Sequence, residues 1–231
     1  MAAERVAAII QARMGSTRFP GKSLAPFAGS TVLQHMLERL RRVAHPLELV
    51  VATSHLEEDD PIAAAGSESG VRVFRGEADD VLARFAACVD WMPERPPLVL
   101  RICADRPFLC PVLVDELLAC YQEIGRPAYL SNNRPQSYPD GLDLELVRTE
   151  CLEEAHRESS DPYEREHVTP FVYRRPERFR LAALVCPFGN FSHAKLALDT
   201  PDDYRRLERL HRLLPAEYDY RDVLTAVELD A

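Results

Sequence analysis

The chain has 231 residues and a mass of 26.1 kDa, which is close to the upper size that one hydrophobic core can organise. Hydrophobic residues make up 46% of the chain and charged residues 28%, and this composition excludes a disordered or fibrous protein. A formal net charge of −9 and a pI near 5.3 argue against a nucleic-acid partner, because nucleic-acid-binding domains are usually basic. The size and the composition of the chain together predict a single domain over residues 1–231.

Neither the apolar runs nor the cysteines suggest a membrane or secreted protein. The longest apolar runs, such as 6–10, are far shorter than the roughly 18 residues of a membrane span. The six cysteines form no CxxC pair, and residues 1–10 lead directly into a strand pattern rather than a signal peptide. The sequence therefore predicts buried, reduced thiols, no membrane insertion and a cytoplasmic location.

The first 125 residues alternate between strand and helix patterns. Short apolar runs with β-branched residues indicate buried strands, and apolar residues spaced by three or four positions indicate helices. In chain order the predicted elements are a strand at 6–10, a helix at 31–43, a strand at 47–52, a helix opening at 59–61, a strand at 71–74, a helix capped by Asp79 and Asp80, a strand at 98–103 and a helix at 111–124. This alternation predicts an α/β fold with a mostly parallel sheet covered on both faces.

The pattern changes in the second half of the chain. We interpret residues 128–190 as an inserted α+β lobe, because the regular alternation of strand and helix stops there. Its predicted elements are an alternating segment at 142–147, helical stretches at 149–158 and 162–174, and an apolar strand at 179–185. The chain is then predicted to close with a strand at 196–198, a loop at 199–203 and a helix from about 204 to 214.

The segment at 11–22, QARMGSTRFPGK, follows the first strand and combines two glycines, two hydroxyls and three cations. In an open α/β sheet, ligands bind beyond the carboxyl ends of the strands. Backbone amides together with Arg13, Arg18 and Lys22 are suited to hold several phosphate oxygens. A cluster of cations in an acidic chain calls for an anion, although a solvated basic turn is the simpler alternative.

This segment, called the basic loop below, is not a Walker A loop. Five residues separate Gly15 from Gly21, whereas the GxxxxGK[ST] pattern has four, and 18–20 fill a loop that would have to close tightly. We therefore exclude a P-loop NTPase. The candidate nucleotide-binding residues are Ala12, Arg13, Met14, Gly15, Ser16, Arg18 and Lys22.

Two acids, Asp105 and Asp199, each follow a predicted strand. An acid at the carboxyl edge of a sheet, beside a phosphate-binding loop, is well placed to bind Mg²⁺. The alternatives are a turn or helix cap before Pro107 for Asp105, and an N-cap for Asp199. Neither acid has an obvious basic partner nearby except Arg106, so their mutual repulsion is expected to require a cation.

The lobe at 128–190 supplies further candidates. The period of two along a strand places Asp143 and Glu145 on one face, about 7 Å apart, where they could hold sugar hydroxyls or a second metal, or simply face solvent. Asn132 and Asn133 lie in the same lobe. His167 is a weaker candidate, because a lone histidine is more often a packed or hydrogen-bonded residue than a catalyst.

Eight segments of the chain, taken in order, resemble the sugar cytidylyltransferases. They are AIIQARMGSTRFPGK, VVATS, VFRGEADDVLARF, RICADRP, YLSNN, YPDGLDLE, EREHVTPF and LALDTPDDY. The resemblance is greatest to the spore-coat polysaccharide biosynthesis type, which is related to the acylneuraminate and Kdo cytidylyltransferases. It implies a Rossmann-like nucleotide-diphospho-sugar transferase fold, the use of CTP and Mg²⁺, and a homodimer built partly by the inserted lobe.

The resemblance also implies a reaction, the transfer of CMP from CTP to a sugar with release of pyrophosphate. Arg13, Lys22 and Asp105 are then the expected catalytic residues, and Asp105 and Asp199 the expected ligands of Mg²⁺. An ulosonic or acylneuraminate-like sugar is the expected acceptor, with a neutral or phosphorylated sugar as the alternative. The residues expected to select the sugar are Asn132, Asn133, Asp143, Glu145 and His167.

Two departures from the family pattern lie near the expected acceptor site. Arg106 stands where a small or thiol residue is usual, and 193–195 precede the predicted last strand where an arginine is commoner. A glycosyltransferase is one alternative, although such enzymes usually carry an Asp-x-Asp motif where this chain has Asp105-Arg106-Pro107. A catalytically silent nucleotide-binding protein is another, which the presence of both acids and the full basic loop opposes.

Overall fold

The structure, a computed structural model, describes residues 4–230, and seven of its strands form one central sheet. The strands are β1 (Val6–Gln11), β2 (Pro26–Phe27), β3 (Ser30–Thr31), β4 (Leu47–Ser54), β5 (Arg72–Gly76), β6 (Leu98–Cys103), β7 (Tyr129–Ser131), β8 (Glu145–Arg148) and β9 (Leu181–Ala183). The order across the sheet is β5-β4-β1-β6-β8-β7-β9, and β2 pairs separately with β3. Only β8 runs antiparallel to its neighbours in the central sheet, which confirms the prediction of a mostly parallel sheet.

Nine α-helices occur within residues 4–230, and several begin where their sequences predict. They are α1 (Val32–Leu40), α2 (Asp60–Glu68), α3 (Val81–Trp91), α4 (Pro111–Glu123), α5 (Thr149–Glu158), α6 (Pro162–His167), α7 (Pro170–Tyr173), α8 (Pro201–Leu213) and α9 (Tyr220–Leu229). Thr31 and Gln34 form a capping box at the start of α1, and Asp80 caps α3. Across this described range, no helix has the length and apolar character needed to cross a membrane.

The central sheet buries apolar side chains on both faces, because successive residues of a strand point to opposite sides. In β1, Val6, Ala8 and Ile10 pack in one hydrophobic cluster with α1, α4 and α9, whereas Ala7 and Ile9 pack in a second cluster with α3 and α5. All five side chains are buried. Because β1 is the third of the seven strands across the sheet, the loop that follows it lies near the middle of the carboxyl edge.

The strand register places the basic loop beside the first predicted acid. Gln11, at the end of β1, pairs with Ala52 of β4 on one side and Cys103 of β6 on the other. The amide of Ala104 then donates a hydrogen bond to the carbonyl of Gln11, at 2.9 Å. Since Asp105 is the next residue, the loop after β1 and the loop after β6 share one edge, as predicted.

Residues 128–190 contribute strands β7, β8 and β9 to the same sheet, and helices α5 and α6 contact α3. The alternating strand predicted at 142–147 was wrong in its first half, because β8 begins at Glu145 and Asp143 lies in the loop before it. The helical stretch predicted at 162–174 is divided between α6 and α7, since Val168 between them has a left-handed backbone, with φ of 72°. The strand predicted at 179–185 is confined to β9.

The strand predicted at 196–198 was wrong, although this buried segment does reach the carboxyl edge of the sheet. The amide of Leu196 donates to the carbonyl of Asp140, and that of Leu198 to the carbonyl of Asp105, so the segment bonds to two different loops instead of a strand. The loop predicted at 199–203 is shorter, because Thr200 caps α8 and the helix begins at Pro201. Helix α9 was not predicted.

Gly141 allows the segment at 194–198 to pass close over the turn at 138–143. Its φ is 108°, and a Cβ at this position would lie 2.4 Å from the carbonyl carbon of Leu196. A residue with a side chain would meet both a strained backbone and a steric clash. Because this segment leads into Asp199, Gly141 helps to fix the position of that acid.

Substitution Gly141→Ala is expected to destabilise the protein more than Gly29→Ala does. Gly29 also has a positive φ, of 83°, but a Cβ there would meet nothing within 4 Å, so its substitution adds only the left-handed backbone cost of roughly 1–2 kcal/mol. Gly141→Ala adds the clash with Leu196. Urea unfolding of both variants measures the difference, and equal losses of unfolding free energy would contradict the close approach.

Candidate active site

The side chain of Lys22 joins the basic loop to both predicted acids. Its Nζ lies 2.7 Å from Asp105 Oδ2 and 3.0 Å from Asp199 Oδ1. The hydrogen bond from the Leu198 amide to the Asp105 carbonyl, at 2.9 Å, holds the two acid-bearing segments together. Three residues that the sequence singled out therefore converge at one point on the carboxyl edge of the sheet.

The expectation that the two acids lack a basic partner was wrong. Lys22 lies 83 and 177 residues away from them along the chain, which is why inspection of neighbouring residues missed the contact. Asp199 also receives Lys195, whose Nζ is 3.1 Å from Oδ2, and Arg18, whose Nη2 is 3.3 Å from Oδ1. Lys195, noted above only as a departure from the family pattern, thus belongs to the acid cluster.

In this cluster, opposite charges shift the pKa values more than burial does. Burial lowers the pKa of Lys22, but the charges of Asp105 and Asp199 and their hydrogen bonds raise it, so the pKa lies above its ordinary value. Burial likewise raises the pKa of Asp199, but hydrogen bonds from Lys22 and Lys195 hold it below its ordinary value. Lys22 and Asp199 are therefore both charged at neutral pH.

A cavity of about 230 Å³ lies between the basic loop and the loop after β6, and Asp105 forms part of its wall. The predicted nucleotide-binding residues that line it are Ala12, Arg13, Gly15, Ser16, Arg18 and Lys22. Within residues 4–230, the amides of Gly15 and Thr17 donate to no protein acceptor. The cavity thus offers both fixed cations and free N–H groups, which is the combination that phosphate oxygens require.

A second cavity, of about 270 Å³, shares Cys103 as a wall with the first. Three predicted sugar-binding residues line it, namely Asn133, Glu145 and His167. Its other lining residues are Arg101, Arg106, Arg134, Tyr163, Thr169 and Tyr173. The sequence had not singled out Arg101 or Arg134, although a charged residue at position 101 interrupts an otherwise apolar strand and is a recognisable signal.

Glu145 and Asp143 each hold an arginine in place. The prediction that they share one strand face was wrong, because only Glu145 lies in β8. Glu145 is buried and accepts hydrogen bonds from Arg101 and from the hydroxyls of Tyr129 and Thr169, each of these two at 2.6 Å. Asp143 is also buried, and its Oδ2 lies 2.8 Å from Arg106 Nη1. A direct contact of either acid with a sugar stays a prediction.

The two asparagines differ in accessibility. Asn132 is fully buried, its side-chain amide donating to the carbonyl of Leu142 at 2.8 Å and its Oδ1 accepting the amide of Leu144 at 2.7 Å. Asn132 thus fixes the chain that leads into β8, whereas Asn133 reaches the second cavity. His167 packs on Tyr163, with ring centroids 4.3 Å apart.

The family model for cytidylyltransferases matches residues 7–226. The spore coat polysaccharide biosynthesis protein SpsF of Bacillus subtilis (strain 168) is 34% identical over 212 residues, covering 88% of this chain and 85% of that protein. A 3-deoxy-manno-octulosonate cytidylyltransferase of Anaeromyxobacter sp. (strain Fw109-5) is 35% identical over 229 residues, covering 94% and 90%. The chain belongs to the cytidylyltransferase family and is a nucleotidyltransferase, so neither a glycosyltransferase nor a silent nucleotide-binding protein is supported.

Solved structures agree on the fold. A cytidylyltransferase from Leptospira borgpetersenii matches with a TM-score of 0.91 and 30% identity, over 98% of this chain and 95% of that one. Two more distant structures share the fold alone. One is a CMP:2-keto-3-deoxy-manno-octonic acid synthetase complexed with CTP, with a TM-score of 0.66, 17% identity and coverage of 90% and 99%. The other is a Mycobacterium tuberculosis protein complexed with manganese, with a TM-score of 0.63, 20% identity and coverage of 90% and 100%.

Proposed function

We propose that this enzyme transfers CMP from CTP to a sugar hydroxyl and releases pyrophosphate. The observation that carries this proposal is the Lys22 ammonium held by Asp105 and Asp199 beside a cavity that the basic loop lines. That arrangement places cations, free amides and two carboxylates together, as a triphosphate and a divalent ion require. We infer the nucleotide and the class of acceptor from similar proteins, such as the 3-deoxy-manno-octulosonate cytidylyltransferase and the synthetase complexed with CTP.

The reaction needs positioning and charge neutralisation more than covalent chemistry by the protein. The acceptor oxygen forms a bond to the α-phosphorus while the bond from that phosphorus to the pyrophosphate oxygen breaks, and the hydroxyl proton passes to water. Arg13, Arg18 and Lys22 hold the triphosphate and stabilise the charge that develops on the leaving pyrophosphate. No covalent intermediate with the enzyme is formed.

Asp105 and Asp199 are the residues that would hold Mg²⁺. Two carboxylates gathered around one ammonium suit a divalent cation, because Mg²⁺ is commonly bound by one or two carboxylates together with substrate phosphates. Residues 4–230 contain no cluster of three or more His, Cys, Asp or Glu side chains placed to hold a metal, so the remaining ligands would come from CTP and water. A bound ion would neutralise phosphate charge, and the manganese complex of the distant neighbour supports a divalent metal.

The second cavity is proposed to bind the acceptor, an ulosonic or acylneuraminate-like sugar that bears a carboxylate. Arg101 and Arg106 are balanced by buried acids, whereas Arg134 stacks on the Tyr173 ring at 3.7 Å from its centroid. The Nε atoms of Arg101 and Arg106 and the Oδ1 of Asn133 are buried without a hydrogen-bond partner. The two unpaired N–H donors favour an acceptor that brings anionic oxygens, and the Asn133 oxygen favours one that also brings a hydroxyl.

We also propose a cytoplasmic homodimer whose contact includes residues from 128–190. The free cysteines fit a reducing compartment. Strand β9 forms one edge of the sheet, and Val185 and Phe188, which follow it, are 53% and 55% exposed. Exposed apolar side chains beside an open strand edge are typical of an interface.

Light scattering at micromolar concentration tests the dimer. For the wild type we expect twice the chain mass of 26.1 kDa. In a Val185→Asp/Phe188→Asp variant the measured mass should fall toward that of one chain, because charges buried in the contact would destabilise the dimer. A monomeric wild type would refute the dimer.

Pyrophosphate release from CTP, Mg²⁺ and a panel of acidic and neutral sugars tests the reaction. Loss of the charge-assisted contact of Lys22, worth roughly 1.5–3 kcal/mol, should reduce turnover at least tenfold in Lys22→Ala, and Asp105→Asn should reduce turnover far more than it reduces stability. Arg209→Ala, an exposed change on α8, is the control. The mechanism would be wrong if Lys22→Ala and Asp105→Asn both stayed within a few-fold of the wild-type rate.

Manganese binding, followed by electron paramagnetic resonance, tests the metal ligands without turnover. Lys22 occupies the space between the carboxylates, so the free enzyme should bind Mn²⁺ weakly, and Lys22→Ala should bind it more tightly in the absence of nucleotide. Asp105→Asn in the Lys22→Ala background should abolish that gain. Equal affinities in the wild type and Lys22→Ala would contradict the assignment. In the wild type, EDTA should stop turnover, and Mg²⁺ or Mn²⁺ should restore it.

A further inference from the structure

Met14 is the residue on which the basic loop closes. Its carbonyl accepts hydrogen bonds from two amides, that of Ser16 at 2.8 Å and that of Gly21 at 3.1 Å. One peptide group therefore joins the first part of the loop to its last part. Because Lys22 follows Gly21 directly, the position of Met14 determines where the Lys22 side chain begins.

The amide of Met14 is itself held by Asp59. Asp59 Oδ1 accepts this amide at 2.7 Å, and its Oδ2 accepts the backbone amide of Ser54 at 3.2 Å and the Ser54 hydroxyl. Ser54 is the last residue of β4. The Asp59 carboxylate thus links the basic loop to the carboxyl end of β4 by hydrogen bonds.

Asp59 bonds to the basic loop instead of capping a helix, which is what an aspartate at its position usually does. Asp59 occupies the N-cap position of α2, where an aspartate usually accepts an amide of the first helical turn, but its side chain makes no such bond. Asp80 and Asp219, at the corresponding positions of α3 and α9, do cap their helices. The carboxylate of Asp59 is turned toward the loop instead.

The surroundings of Asp59 keep it charged and away from solvent. It is 1% exposed, so it does not touch a substrate. Burial raises the pKa of Asp59, but hydrogen bonds from Met14 and Ser54 lower it below its ordinary value. Burial lowers the pKa of Arg84, which is also 1% exposed. The charge of Asp59 opposes this shift, whereas the charge of Arg13 in the basic loop adds to it.

We propose that Asp59 is a positioning residue for nucleotide binding, acting through the Met14 amide to hold the basic loop in the conformation from which Arg13 and Lys22 reach the triphosphate. The identity of the ligand rests on the proposed function. The attachment of the loop to β4 does not.

Substitution Asp59→Asn tests this proposal, since an amide keeps the size of the side chain but replaces one accepting oxygen with a donor. Two measurements are needed on the folded variant. The first is hydrogen exchange of the segment at 12–22 without ligand, which should become faster than in the wild type. The second is titration with CTP and Mg²⁺, in which Kd should rise at least tenfold, with KM for CTP changed more than kcat.

Two further variants separate loop positioning from general stability. Ser54→Ala removes one donor to Asp59 and leaves the Met14 contact, so it should give a smaller change of the same kind, and it keeps the test decisive if Asp59→Asn does not fold. Asp219→Ala removes a true helix cap at α9 and should lower Tm without changing loop exchange or CTP affinity.

The possible outcomes separate the positioning role of Asp59 from the identity of the nucleotide. Unchanged loop exchange and CTP affinity in Asp59→Asn, or in Ser54→Ala if only that variant folds, would overturn the positioning role. Weaker binding of CTP that Asp219→Ala reproduces would overturn it as well, because a structural loss would then suffice. Failure of the wild type to bind CTP would overturn the proposed function, and the exchange measurement would still decide whether Asp59 holds the loop.

Discussion

One ammonium group, that of Lys22, is shared by two carboxylates at the carboxyl edge of the sheet, and the segments around it are arranged to make this contact. Lys22 comes from the loop after β1, Asp105 from the loop after β6, and Asp199 from the residue before the cap of α8. Three partly buried charges so close together are stable only because they compensate one another. The passage of residues 194–198 over Gly141 supplies the acid that is furthest away in sequence.

The two cavities on either side of Cys103 share one electrostatic character. The first presents Arg13, Arg18 and Lys22, and the second presents arginines held by buried acids. A chain with a net charge of −9 thus concentrates positive groups where its ligands are proposed to bind. Both proposed ligands, the triphosphate and an acidic acceptor, are anions, which fits cavities lined by these cations.

Local pattern predicted most of the elements that form the sheet, because apolar alternation and capping residues act over a few positions, as at β1 and α1. It missed β7 and began β8 three residues too early. The candidate site was predictable only in part. The basic loop and both acids are visible in the sequence, but the pairing of Lys22 with Asp105 and Asp199 depends on tertiary contacts. The run at 196–198 is buried like a strand without forming one, and Asp59 resembles an ordinary helix cap until its hydrogen bonds are known. Neither burial nor hydrogen-bond partners can be derived from spacing alone.

Crystals of the enzyme grown with CTP and Mn²⁺, without acceptor, would show most directly whether Asp105 and Asp199 hold the metal, because the anomalous signal of manganese locates the ion. We expect manganese bound by Asp105 and Asp199, with the Lys22 ammonium displaced from between them onto a phosphate oxygen of the nucleotide. A metal bound elsewhere, or Lys22 still bridging the two carboxylates with CTP in place, would contradict this assignment.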